Sequence, residues 1–94
     1  MGELDRTLQA PARLRLMTML ATVSEVEFVT LRDGLDVSDS VLSKHVAALA
    51  EVGYARSRKG TLAGRRTTWV AITGKGRKAL TAHVAELRAI IGDL

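Results

Sequence analysis

Cysteine is missing from the 94 residues of this chain. Its absence excludes disulfides and thiolate metal sites, and it fits a reducing compartment. Proline occurs once, as Pro11, where it can open a helix but not continue one. No apolar run approaches the length of a membrane span. The opening Met1-Gly2-Glu3-Leu4-Asp5 is acidic and lacks the basic, then apolar, order of a secretory leader. The expected setting is the cytoplasm, with no membrane partner. Catalytic signatures are wanting too. Gly60 and Gly64 bracket a turn and form no phosphate-binding loop, two separated histidines make a poor metal site, and there is no nucleophile elbow. The expectation is a non-enzyme without metal or cofactor.

Acid is missing from one long window. From Tyr54 to Lys78 the chain carries Arg56, Arg58, Lys59, Arg65, Arg66, Lys75, Arg77 and Lys78, and no carboxylate. Outside it there are six basic and ten acidic residues, so a net +4 divides into +8 and −4. Such asymmetry points to a polyanion on one face. Hydrophobic residues make up 47%, enough for a packed core. A chain this short nevertheless buries a modest fraction of its surface and is often helped by a partner.

What is present is organised around residues 36–54. Ser38 is a good N-cap and Asp39 suits the positive end of a helix dipole. Gly53 is a plausible stop. At about 100° per residue, Leu42, Val46 and Leu49 share one face, and Ser40, Ser43, Lys44 and Ala47 fall opposite, with Glu51 below. That second face is small, hydroxylated and basic, as a helix entering a major groove about 12 Å wide must be. His45 falls nearer the apolar face, so packing is at least as good a reading for it as a phosphate contact. Upstream, Phe28, Leu31 and Leu35 have helical spacing, Gly34 lowers propensity near the end of that helix, and Asp36 suits a left-handed turn position. Residues 28–50 therefore read as a helix-turn-helix.

The flanks complete the frame. Leu4 and Leu8 suggest a short first helix starting near Glu3. A largely buried helix follows from Ala12, with Arg13 and Arg15 as its exposed marks. Ser24 to Glu27 reads as a loop or a very short edge strand. After Gly53, Tyr54 to Lys59 reads as a strand, Gly60-Thr61-Leu62-Ala63-Gly64 as a loop, and Arg65 to Thr73 as a second strand. In that strand Trp69 and Ala71 lie on one face, and Thr68, Val70 and Ile72 on the other. Packing suits Trp69 better than base stacking, since a lone aromatic makes a poor platform. Thr73 can cap a last helix over 74–94, whose stripe of Leu80, Val84, Leu87, Ile91 and Leu94 has little chain left to bury it. A second copy would satisfy it, with Leu4 and Leu8 joining the interface. His83 is expected at the surface or in that interface.

These residues resemble a known family. Ser38-Asp39-Ser40-Val41-Leu42-Ser43-Lys44-His45-Val46 with Leu49-Ala50-Glu51-Val52-Gly53-Tyr54 is similar to the recognition helix of MarR/ArsR-type winged-helix transcriptional regulators. Gly64-Arg65-Arg66-Thr67-Thr68-Trp69 and Ile72-Thr73-Gly74-Lys75-Gly76-Arg77-Lys78-Ala79-Leu80 are similar to their wing and the entry to their last helix. Arg13 to Leu20 fits their early helix. The likeness is to the small stand-alone members. It lacks the Asp-x-Arg wing pattern of larger MarR proteins and the cysteine sites of many ArsR sensors.

The resemblance implies a mainly α fold with a small β-hairpin: a winged helix-turn-helix of three core helices and a wing, with terminal helices for dimerisation. It implies a homodimer on a partly palindromic double-stranded DNA operator, usually repressing. Ser40, Ser43 and Lys44 would face the major groove, and Arg65 and Arg66 would serve the wing. Ser38, His45 and Arg58 complete the candidate contacts. A small effector could sit between dimer helices, though no residue names one. The alternative is a winged helix used as a protein-interaction module, which the acid-free window weighs against.

Overall fold

The computed structural model describes residues 4–92. A 3₁₀ turn, Thr7–Gln9, precedes α1 (Pro11–Ala21), β1 (Val26–Glu27), α2 (Phe28–Leu35), α3 (Asp39–Glu51), β2 (Ala55–Leu62), β3 (Arg65–Ile72) and α4 (Gly74–Ile91). The fold is a helical core carrying an antiparallel sheet in the order β1-β3-β2. Among the described residues, no helix is long and apolar enough to cross a membrane.

Local chemistry sets most of the boundaries. Pro11 opens α1, where its missing N–H and fixed φ do no harm. Asp36 ends α2 in the left-handed region at φ 54°. Ser38 then caps α3 by accepting from the Val41 N–H at 3.2 Å, and Thr73 caps α4 by accepting from the Gly76 N–H at 2.9 Å. Leu16, Met17 and Leu20 of α1, Leu31 and Leu35 of α2, and Leu42, Val46 and Leu49 of α3 close into one core with Ala55, Val70, Ile72 and Leu80.

Three local expectations need correction. In place of a helix starting near Glu3 there is the 3₁₀ turn, which the Asp5 carboxylate starts by accepting from the Thr7 N–H at 2.8 Å. The segment 60–64 is not all loop. Strand β2 runs on to Leu62, and the hairpin closes on two residues, Ala63 and Gly64, both at positive φ (52° and 76°). A two-residue turn of this kind matches the twist of the flanking strands. Arg13 is not a free surface mark, because its guanidinium reaches His45 and the Thr7 carbonyl. Within Ser24 to Glu27, the very short edge strand of the two readings is met at Val26–Glu27, which pairs Val26 with Val70 and Glu27 with Trp69.

Leu8 and Leu80, expected at an interface between copies, are buried in the protomer's own core. They hold the amino-terminal segment and α4 in place. His83 is buried too, and its Nδ1 accepts from the Asp5 N–H at 3.0 Å. Leu4, Val84 and Leu87 are half-buried, and Ile91 is exposed. The helix expected over 74–94 stops at Ile91, capped by Gly92 at φ 71°, and Leu94 lies outside the described residues.

Candidate nucleic-acid interface

Helix α3 presents two unlike sides. Leu42, Val46 and Leu49 are buried, whereas Ser40, Ser43, Lys44, Ala47 and Glu51 are exposed. Its start is doubly fixed. Ser38 satisfies an orphan N–H, with its hydroxyl 3.4 Å from that of Ser40, and Asp39 receives Arg32 of α2 at 3.0 Å. Its end is tied to the entry of α4: the Tyr54 carbonyl accepts from the Thr73 N–H, and the Thr73 hydroxyl donates to the Gly53 carbonyl at 2.6 Å. The helix is thus held at both ends while one side stays open.

His45 is less open than Ser40, Ser43 and Lys44 of α3. It is half-buried, and its Nδ1 accepts from Arg13 Nε at 3.2 Å. An acceptor Nδ1 requires the neutral ring. Burial, and after it the charge of Arg13, holds its pKa below the ordinary histidine value. Its Nδ1 is thus engaged within the protomer.

The hairpin register sorts its cations onto two faces. Residues directly opposite in antiparallel strands share a face. Ser57 pairs with Val70, Lys59 with Thr68 and Thr61 with Arg66. Val70 is in the core, so this is the inner face. Ser57 and Thr68 line an open hollow of about 460 Å³ together with Phe28, Asp39, Ser43, Val46, Ala47 and Ala50. Lys59 and Arg66 therefore extend the side of the molecule on which α3 is bare. Neither they nor Lys44 has a carboxylate in ion-pair range among the described residues.

The outer face carries the other arginines. Arg58 pairs with Trp69, and Leu62 with Arg65. The Arg58 guanidinium lies 5.7 Å from the Trp69 ring centre and donates through Nε to Glu25 at 3.0 Å, with a second bond to the other carboxylate oxygen. That hydrogen bond, more than Coulomb attraction, draws the Glu25 pKa below the ordinary value against a smaller effect of burial. Arg65 lies 3.8 Å from Glu27, whose carboxylate accepts from the Thr67 hydroxyl at 2.6 Å. The candidate wing contacts are therefore not all on one face. Arg65 and Arg66 point to opposite faces, as adjacent strand residues do, and Arg58 is engaged with Glu25 on the outer face. Lys59, outside the candidate set, shares the inner face with Arg66. It stood in the basic window, and its alternation with Arg58 was the available signal.

The residues from 12 to 91 match the family model of the winged-helix DNA-binding domain. The chain belongs to that family. An uncharacterised protein of Methanocaldococcus jannaschii, MJ0432, is 31% identical over 75 residues, covering 80% of this chain and 82% of that one. The structure of a transcriptional regulator homologue from Pyrococcus horikoshii superposes with a TM-score of 0.86 at 28% identity, over 93% of this chain and 86% of that chain. A MarR family transcriptional regulator from Silicibacter pomeroyi gives 0.71 at 26% identity, over 89% of this chain and 55% of the larger one. The winged helix is MarR-like, and its family and fold are those of transcriptional regulators, not of enzymes. In its terms α3 occupies the place of the recognition helix, and the β2–β3 hairpin that of the wing.

Proposed function

We propose that this winged helix binds double-stranded DNA as a homodimer and regulates transcription from a partly palindromic operator, as a repressor. Helix α3 would enter the major groove with Ser40, Ser43 and Lys44 toward base edges. The inner face of the wing would lie along the neighbouring backbone or in the minor groove. A second protomer would cover the apolar end of α4, from Leu87 through Ile91. One observation carries the reading: Lys59 and Arg66 stand unpaired among the described residues, on the wing face turned toward the bare side of α3.

The test compares two variants of equal charge change on a mixed-sequence duplex. Each cation at a phosphate contributes about 0.9 to the slope of log affinity against log salt. Lys59→Gln with Arg66→Gln should flatten the slope by roughly 1.8 per bound protomer, whereas Arg58→Gln with Arg65→Gln should leave it near wild type. Equal losses from both would refute the sidedness of the wing. Lys44→Ala should alter the sequence selected from a random pool more than the salt slope. Failure of the wild type to bind any duplex would favour a protein-interaction role.

A further inference from the structure

We propose that Glu25 and Glu27 act as internal competitors of DNA phosphate. They hold Arg58 and Arg65 on the outer face of the wing and thereby lower its sequence-independent affinity. The inference rests on the DNA-binding reading above and assigns to β1 and the residue before it a part in specificity.

The geometry is that of a rival binding site for arginine. A guanidinium fork meets a carboxylate with the same two parallel donors that it offers a phosphate, and Arg58 makes both bonds to Glu25. Strand β1 is placed for the task. Its register sets Glu27 beside Trp69, and β2 sets Arg58 on the other side of Trp69, so acid, ring and guanidinium form one row across the outer face. Gly60 clears the space: a Cβ there would lie 2.9 Å from an Arg58 nitrogen and 3.2 Å from the indole. The Thr67 hydroxyl fixes the Glu27 carboxylate beside Arg65.

Stability does not explain the arrangement. Arg58 and Arg65 are mostly exposed (58% and 62%), and exposed ion pairs add little to folding. Their effect is on charge placement. Sequence-independent affinity grows with the number of cations that reach the backbone, whereas discrimination comes from base edges and DNA shape. Holding back two arginines lowers the first without touching the second, so it raises the specific-to-nonspecific ratio.

The experiment is a double-mutant cycle on the full chain, read as affinity for a mixed-sequence duplex across salt. Glu25→Gln should steepen the slope by about 0.9 per bound protomer. For a dimer on the duplex, its affinity relative to wild type should then change about twelvefold between roughly 50 and 200 mM salt. Arg58→Gln should match wild type, and the double variant should match wild type too. Glu27→Gln, whose amide oxygen still accepts from Thr67, should act in the same way through Arg65. Glu86→Gln on α4 supplies an equal charge change away from the wing and should leave the slope alone. The proposal is overturned if Glu25→Gln leaves the slope unchanged, if Glu86→Gln matches it, or if its effect persists without Arg58. A wild type that binds no duplex overturns the DNA reading along with it, whereas a wild type that binds with a flat cycle overturns this inference alone.

Discussion

The wing and the last helix are built alike at one end and oppositely at the other. Each is rooted in the core. Ala55, Val70, Ala71 and Ile72 are buried at the base of the hairpin, and Gly76, Leu80 and His83 are buried in the first turns of α4. Each then runs out of protein to touch. The hairpin meets water with Lys59, Thr61, Arg65 and Arg66, all exposed. The helix meets it with Ile90 and Ile91, which are 67% and 52% exposed. A polar, cationic end is satisfied by solvent and draws polyanions over a distance set by salt. An apolar end is not satisfied by solvent, and it marks a surface that another protein surface should cover. The two ends therefore call for different partners, and disturbing one should leave the other largely intact.

The sharpest separation is expected from the helix. Burying one isoleucine side chain is worth about 1.5–3 kcal/mol. Ile90→Glu with Ile91→Glu should therefore shift the mass seen by light scattering from dimer to monomer, while the salt slope per bound protomer stays at the wild-type value. A variant that keeps the wild-type mass would break the contrast, since the apolar end would then need no second copy.

The roots, by contrast, share a joint. A Cβ on Gly76 would lie 2.1 Å from the Tyr54 carbonyl oxygen, at the passage from α3 into β2. Helix propensity alone favours Gly76→Ala by about 1 kcal/mol. Overpacking against backbone works the other way and typically costs about 1–3 kcal/mol, so a net loss of stability is expected in urea unfolding. A stabilised Gly76→Ala would show that the joint yields freely and that the hairpin and α4 are not locked together there. Ser38→Ala is the milder case. It removes the cap of α3 and should lower stability by about 1 kcal/mol, a smaller shift in the same unfolding midpoint.

How far the sequence reached follows the same division. Helix α3 was legible because its signals are local: the Ser38 cap, the spacing of Leu42, Val46 and Leu49, and the stop at Gly53. The α4 cap at Thr73 was legible for the same reason. The wing was legible as a hairpin but not as a two-faced object. Its facing depends on cross-strand register, and the register depends on the turn being Ala63-Gly64, not the five residues from Gly60. Strand β1 is two residues long, too short for its alternation to show that Glu25 and Glu27 meet arginines more than thirty residues away. Leu8, Leu80 and His83 were misplaced because helical spacing shows which residues share a face, not what covers it.

The finest contrast lies within α3, between its bare side and the side that faces α1. His45 belongs to the second. Its pKa is lowered in the folded protein, by burial first and the Arg13 charge second, from an ordinary value of 6.5. The unfolded chain thus takes up a proton more readily than the folded one, and acid favours unfolding through this group. The stability it supports is present above the ordinary value and is lost as pH falls through it, until the folded ring also protonates. His45→Gln keeps an acceptor for Arg13 and removes the titration. Between about pH 7.5 and about pH 5.5, wild type should lose more stability in urea unfolding than His45→Gln does. Duplex affinity at the higher pH should be nearly the same for both, because His45 turns toward Arg13. A large loss of affinity in that variant would return His45 to the groove side and erase the division between the two sides of α3.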